Sequence, residues 1–67
     1  MDTNHERRTA AILTAMGDLA TELVVTSSAA ETAAWNEDVG GLREASERLA
    51  SLHREYGERY RALLVAD

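Results

Sequence analysis

The chain has no cysteine, no proline, no phenylalanine and no lysine, and each absence excludes something. Without cysteine, neither a disulfide nor a thiolate metal site can brace the fold, and redox chemistry gives no clue to compartment. Without proline, long helices run uninterrupted. Without phenylalanine, and with one Trp and two Tyr, the core has few bulky groups. The apolar share of 45% owes much to alanine, the strongest helix former and one with little side chain to bury. The net charge of −5 argues against non-specific binding to DNA, RNA or an anionic membrane, all of which select basic surfaces. No apolar run approaches the roughly 18 residues of a membrane span, and Met1–Glu6 lacks a basic-then-apolar signal. A soluble, cytoplasmic protein is the expectation.

What remains is helical patterning. Sixty-seven residues make one domain at most, spanning 1–67, in a size range where a lone chain is marginally stable and outside support is expected. Thr3-Asn4-His5-Glu6 has the spacing of a capping box, which predicts that a first helix begins there. Ile12, Met16, Leu19, Leu23, Thr26, Ala30 and Ala33 then recur at alternating steps of four and three. Leu42, Ala45, Leu49, Leu52, Tyr56, Arg59 and Leu63 do the same, the heptad signature of helices that pack on helices.

Between the two runs lies Trp35-Asn36-Glu37-Asp38-Val39-Gly40-Gly41, the one cluster of turn-forming residues. The pattern predicts a helix over about 4–35, a bend over about 36–41 and a helix over about 42–65. Gly40 and Gly41 would supply the bend's permissive dihedrals, Asp38 or Asn36 would cap the second helix, and Trp35 would fold back over that end. Ser28-Ala29-Ala30-Glu31 is a second capping-box spacing and leaves a break in the first helix open. A short connection makes the helices antiparallel, and a fold centred between Glu37 and Asp38 pairs residues whose numbers sum to about 75. Met16 then meets Arg59, Leu19 meets Tyr56, and Leu23 meets Leu52.

With Met16 and Leu49 as first heptad positions, the second and fifth positions are also apolar or small. They hold Ala10, Leu13, Gly17, Ala20, Val24, Ser27 and Ala34 in the first helix, and Ala50, His53, Gly57, Tyr60 and Leu64 in the second. One seam cannot use so wide a stripe. The fold class expected is therefore all-α, an antiparallel two-helix hairpin that dimerises into a four-helix bundle, with Gly17 and Gly57 at nearly one level of the second stripe.

Chemistry is harder to find. His5 and His53 fall at different levels of the hairpin, and neither belongs to an E-x-x-H or H-x-x-x-H pair, so a bundle-core metal site lacks its ligands. No G-x-S-x-G, P-loop or glycine-rich phosphate turn appears, and no cofactor is implied. No nucleophile, base and orienting group can be assembled from distinct positions, so a non-enzymatic protein is expected. Glutamates and arginines alternate along the outward face of the second helix, the pattern of a solvated, ion-paired surface. Within it, Glu47, Ser51, Arg54 and Glu58 form E-x3-S-x2-R-x3-E, which resembles the cyclic-di-GMP-binding motif of certain actinobacterial anti-sigma helical hairpins. That resemblance implies a small-ligand sensor reading a nucleotide on this face. The motif here ends in Glu rather than Gln or Asp and has no copy in the first helix, so such a binder would need a dimer. Trp35 at the bend is similar to the tryptophan of the small secreted WXG proteins. It is followed by Asn36-Glu37 rather than x-Gly, however, and Tyr56 has Tyr60, not an acid, four residues later.

Arg59 is the odd member of its seam. It snorkels outward, pairs with Asp18 or Glu22, or meets an acidic group on a partner. The Met16, Gly17, Tyr56, Gly57, Arg59 and Tyr60 region is the candidate partner-binding patch, since Tyr and Arg are enriched in binding hot spots. The expected function is a small protein–protein interaction module, such as a regulator, adaptor or assembly subunit, whose partners are a second copy of itself and another protein. An acidic surface mimicking nucleic acid is a third reading, weakened by the interspersed arginines.

Overall fold

A computed structural model describes residues 3–66. It contains two helices, α1 (Thr3–Trp35) and α2 (Val39–Ala66), packed against each other. They form an antiparallel hairpin about 55 × 15 × 11 Å in extent, a rod whose length is close to that of a 33-residue helix at 1.5 Å per residue. α1 is continuous through Ser28, so the capping-box spacing there does not break it. The seam outcompetes the local alternative, because a break would cost both backbone hydrogen bonds and the packing of Thr26, Ala30 and Ala33.

Every residue of the two expected seams is buried or half-buried except Arg59. Met16, Ala33, Ala45 and Leu52 form the buried core, and Leu52, only 1% exposed, is its one large fully enclosed side chain. The expected register holds along the rod. Ala33 and Leu42 line one depression near the bend, Ala15 and Arg59 share another, and Ile12 shares a third with Ala62 and Ala66 at the open end.

The bend is shorter than expected, and its chemistry differs. The connection is Asn36, Glu37 and Asp38, and α2 already includes Gly40 and Gly41. The reversal is made by Glu37 at φ 57°, while no glycine has positive φ. The Glu37 amide donates to the Ala34 carbonyl at 3.2 Å and the Asp38 amide to the Ala33 carbonyl at 2.8 Å. This is the Schellman pattern that satisfies the last carbonyls of a helix. Asp38 then caps α2, its Oδ1 accepting from the Gly41 amide at 3.0 Å, as the sequence led one to expect of Asp38 or Asn36. A Cβ on Gly41 would collide with the Asp38 carboxylate, so this glycine makes room for the cap rather than turning the chain. Asp38→Ala should therefore cost about 1 kcal/mol and lower the melting temperature by roughly 5 °C. Circular dichroism melts of the two proteins at equal concentration would show it. No change would mean that solvent satisfies those amides equally well.

Trp35 does not fold back over the bend; it stands 77% exposed. It occupies a sixth heptad position, which points away from the seam.

Candidate functional site

Across an antiparallel helix pair, seventh heptad positions meet along one edge of the seam and fifth positions along the other. Glu22 and Arg48 are both seventh positions, and Arg48 Nη2 donates to Glu22 Oε2 at 2.7 Å. That contact labels one face of the hairpin. Both side chains are about half exposed, so the pair contributes at most a few tenths of a kcal/mol in water. It serves better as a marker of register than as a source of stability.

The opposite face collects the second and fifth positions of both helices. Leu13 is 53% exposed, Val24 70%, Tyr60 50% and Leu64 58%, while Ala10, Gly17, Ala20, Ala50 and His53 beside them are also exposed. A methyl built on Gly17 would meet no atom within 4 Å. The hairpin thus leaves uncovered the stripe that the heptad pattern marks as surplus to its own seam. Single exposed apolar residues are normal, but a continuous row of them is not.

The ion-paired face changes character toward the open end. There Arg8, Ile12, Arg61, Ala62, Val65 and Ala66 line a depression of about 420 Å³, and Ala11, Ile12, Ala15 and Arg59 line a second of about 260 Å³. The two share Ile12 and together make an apolar groove rimmed by Arg8, Arg59 and Arg61. Arg59 resolves here as a snorkelling residue. It is exposed and shares a depression with Ala11 and Ala15 of α1, while Glu22, one of its possible partners, bonds Arg48 instead. Among the described residues Glu22–Arg48 is the one ion pair, and Arg8, Arg59 and Arg61 are exposed.

The structure divides the six residues of the candidate patch. Met16 is buried and Tyr56 half-buried within the seam. Gly17, Gly57 and Tyr60 belong to the uncovered apolar face, and Arg59 to the groove on the other side. Of the motif Glu47, Ser51, Arg54 and Glu58, Ser51 is half-buried and the other three are exposed; none lines any of the three depressions. The groove escaped sequence reasoning because Arg8, Ala11 and Ala15 are unremarkable until Arg59, Arg61 and Val65 are brought beside them. The signal that could have found it is the seventh-position row Arg8, Ala15 and Ala62.

α1 is also long and apolar enough to cross a membrane by length and composition, with an 18-residue stretch of mean hydropathy 1.3. This corrects the expectation that nothing in the chain approaches a span. Comparison with family models, with curated proteins and with solved structures returns no match.

Proposed function

We propose that this protein is a non-enzymatic interaction module that works through helix-to-helix burial, pairing with itself through the uncovered apolar face. The carrying observation is that face: Leu13, Val24, Tyr60 and Leu64 stand half or more exposed at the positions a four-helix bundle would enclose. Areas agree. The surface of 5104 Å² exceeds by about 900 Å² what a folded chain of this mass normally shows. A dimer of ordinary compactness would bury about 3,000 Å² in total, within the roughly 2,000–5,000 Å² of obligate homodimers.

α1 is read as a packing helix rather than a span. Asp18 and Glu22 lie in its middle, and each would cost about 3 kcal/mol at a bilayer centre. Glu22 is moreover bonded to α2, whose alternating charges suit water. A soluble, cytoplasmic module follows from that reading.

The second partner is another protein, met by the arginine-rimmed groove. A helix with an apolar stripe and acidic flanks matches it, the stripe entering between Ile12 and Val65 and its carboxylates reaching Arg8, Arg59 and Arg61. The test is paired capture from native lysate with the wild-type protein and Arg8→Glu, Arg61→Glu as baits. A protein recovered by the first and lost with the second, and contacting it through an acidic helix, is the expected result. Identical recovery by both baits would remove the groove from the account.

A further inference from the structure

Resting on the reading that a second copy covers the apolar face, the geometry points to one orientation: the bend of each hairpin lies over the open end of the other. Two flat hairpins stacked face to face by a twofold axis have two choices. An axis along the rod puts both bends at one end and sets α1 over the second copy's α2. An axis across the rod puts the bends at opposite ends and sets α1 over α1 and α2 over α2.

Charge distinguishes the two. Around the bend stand five exposed acids, Glu31, Glu37, Asp38, Glu44 and Glu47. Two arginines, Arg43 and Arg48, offset them, for a local net of −3. The open end has Arg7, Arg8, Arg59 and Arg61 exposed against Glu6 and Glu58, and Asp2 and Asp67, the next acids in the sequence, bring that local sum to zero. The rod is 55 Å long, several times the screening length of about 8 Å at physiological salt, so each end acts on what is beside it. Bends at one end would set −3 against −3. Bends at opposite ends set each acidic end beside a near-neutral one and so avoid that like-charge juxtaposition, which selects orientation between partners.

Side-chain size makes the same choice independently. Large residues of the uncovered face gather toward the open end as Leu13, Tyr60 and Leu64, and small ones toward the bend as Ser27, Ser46 and Ala50. With both bends together, Leu13 would meet Tyr60 and Leu64, Gly17 would meet Gly57, and Ser27 would meet Ser46, so the hairpins would touch at one end and gape at the other. With the bends apart, Leu13 falls on Ser27 of the second copy, Tyr60 on Ala50 and Leu64 on Ser46. Val24, 70% exposed, falls on the open space at Gly17. Large against small at the layers of Leu13, Val24, Tyr60 and Leu64 gives a more even separation and closer packing.

The absence of cysteine makes the test direct. A nitroxide label on Asn36→Cys, at the exposed bend, reports the bend-to-bend distance in the dimer by pulsed electron paramagnetic resonance. Thr32→Cys, on the outer surface of α1 near the bend, serves as a second site should the first disturb the turn. Bends at opposite ends place labels at Asn36→Cys about 45 Å apart and labels at Thr32→Cys about 35 Å apart, given 1.5 Å of rise per residue. Bends together place them below about 30 Å, since facing helices lie about 10 Å apart. The longer distance supports the orientation. The shorter one overturns it while leaving the dimer standing, and no dipolar coupling at all overturns the dimer and the orientation with it.

Discussion

Val24→Glu should turn the protein into a monomer, and Val25→Glu should leave it dimeric. The two valines are neighbours with nearly equal exposure in one hairpin, 70% and 64%, so hydrophobicity and accessibility cannot separate them. Heptad position can. Val24 is a second position on the uncovered face, and Val25 a third position directed away from it. In the dimer proposed here, twofold symmetry would bury the Val24→Glu carboxylate twice. Each burial without a paired cation costs several kcal/mol, enough to raise the dissociation constant at least 100-fold, since 1.4 kcal/mol is a factor of about ten. Sedimentation velocity over a dilution series from about 100 μM to 1 μM would show a single slower species for Val24→Glu and unchanged behaviour for Val25→Glu. If both variants associate alike, the face is not the interface; if the wild-type chain is already monomeric, self-association itself is wrong.

Leu52→Ala is the substitution expected to harm the hairpin most. Leu52 is 1% exposed, the one large side chain fully enclosed in a core that otherwise contains Met16 and two alanines. Removing most of it leaves a void that two straight helices cannot readily collapse around, at about 3 kcal/mol within a usual range of roughly 2–5. In a domain of this size that lowers the melting temperature by about 15–20 °C, a large part of the stability such a chain can have. Val65→Ala, at a position 87% exposed, is the matched control and should shift the melt by less than about 2 °C. Melts must be compared at one protein concentration, because association adds a concentration-dependent term. Equal shifts in the two variants would show that the interhelical seam is not the core.

The architecture was legible because its signal is periodic. A side chain's face on a helix follows from its position modulo about 3.6, so the seam residues and their antiparallel register could be read off before any coordinates. Trp35 was misplaced because its aromatic character was weighed and its heptad position was not: the sixth position points outward, where it stands 77% exposed. Arg59 shows the limit. The pattern put it in the seam, but a guanidinium cannot be enclosed there without a partner, so it stays exposed, lining a depression with Ala11 and Ala15.

The bend was misread for a different reason. Two adjacent glycines are the usual signal for positive φ, yet Glu37 adopts it. A left-handed residue with a Cβ is disfavoured by about 1 kcal/mol, and two Schellman hydrogen bonds with an Asp38 cap outweigh that. Propensity at one residue is a weak prior against several bonds formed together.

By itself, then, the sequence determined that this chain makes two helices, which residues line their seam, how they are aligned, and that an apolar stripe is left over. Those properties repeat along a regular helix and need no knowledge of distant segments. Only the tertiary structure decided where the second helix starts, which face the Glu22–Arg48 contact occupies, and that an arginine-rimmed groove exists. Each of these is settled between residues far apart in the chain, whose proximity no local spacing records.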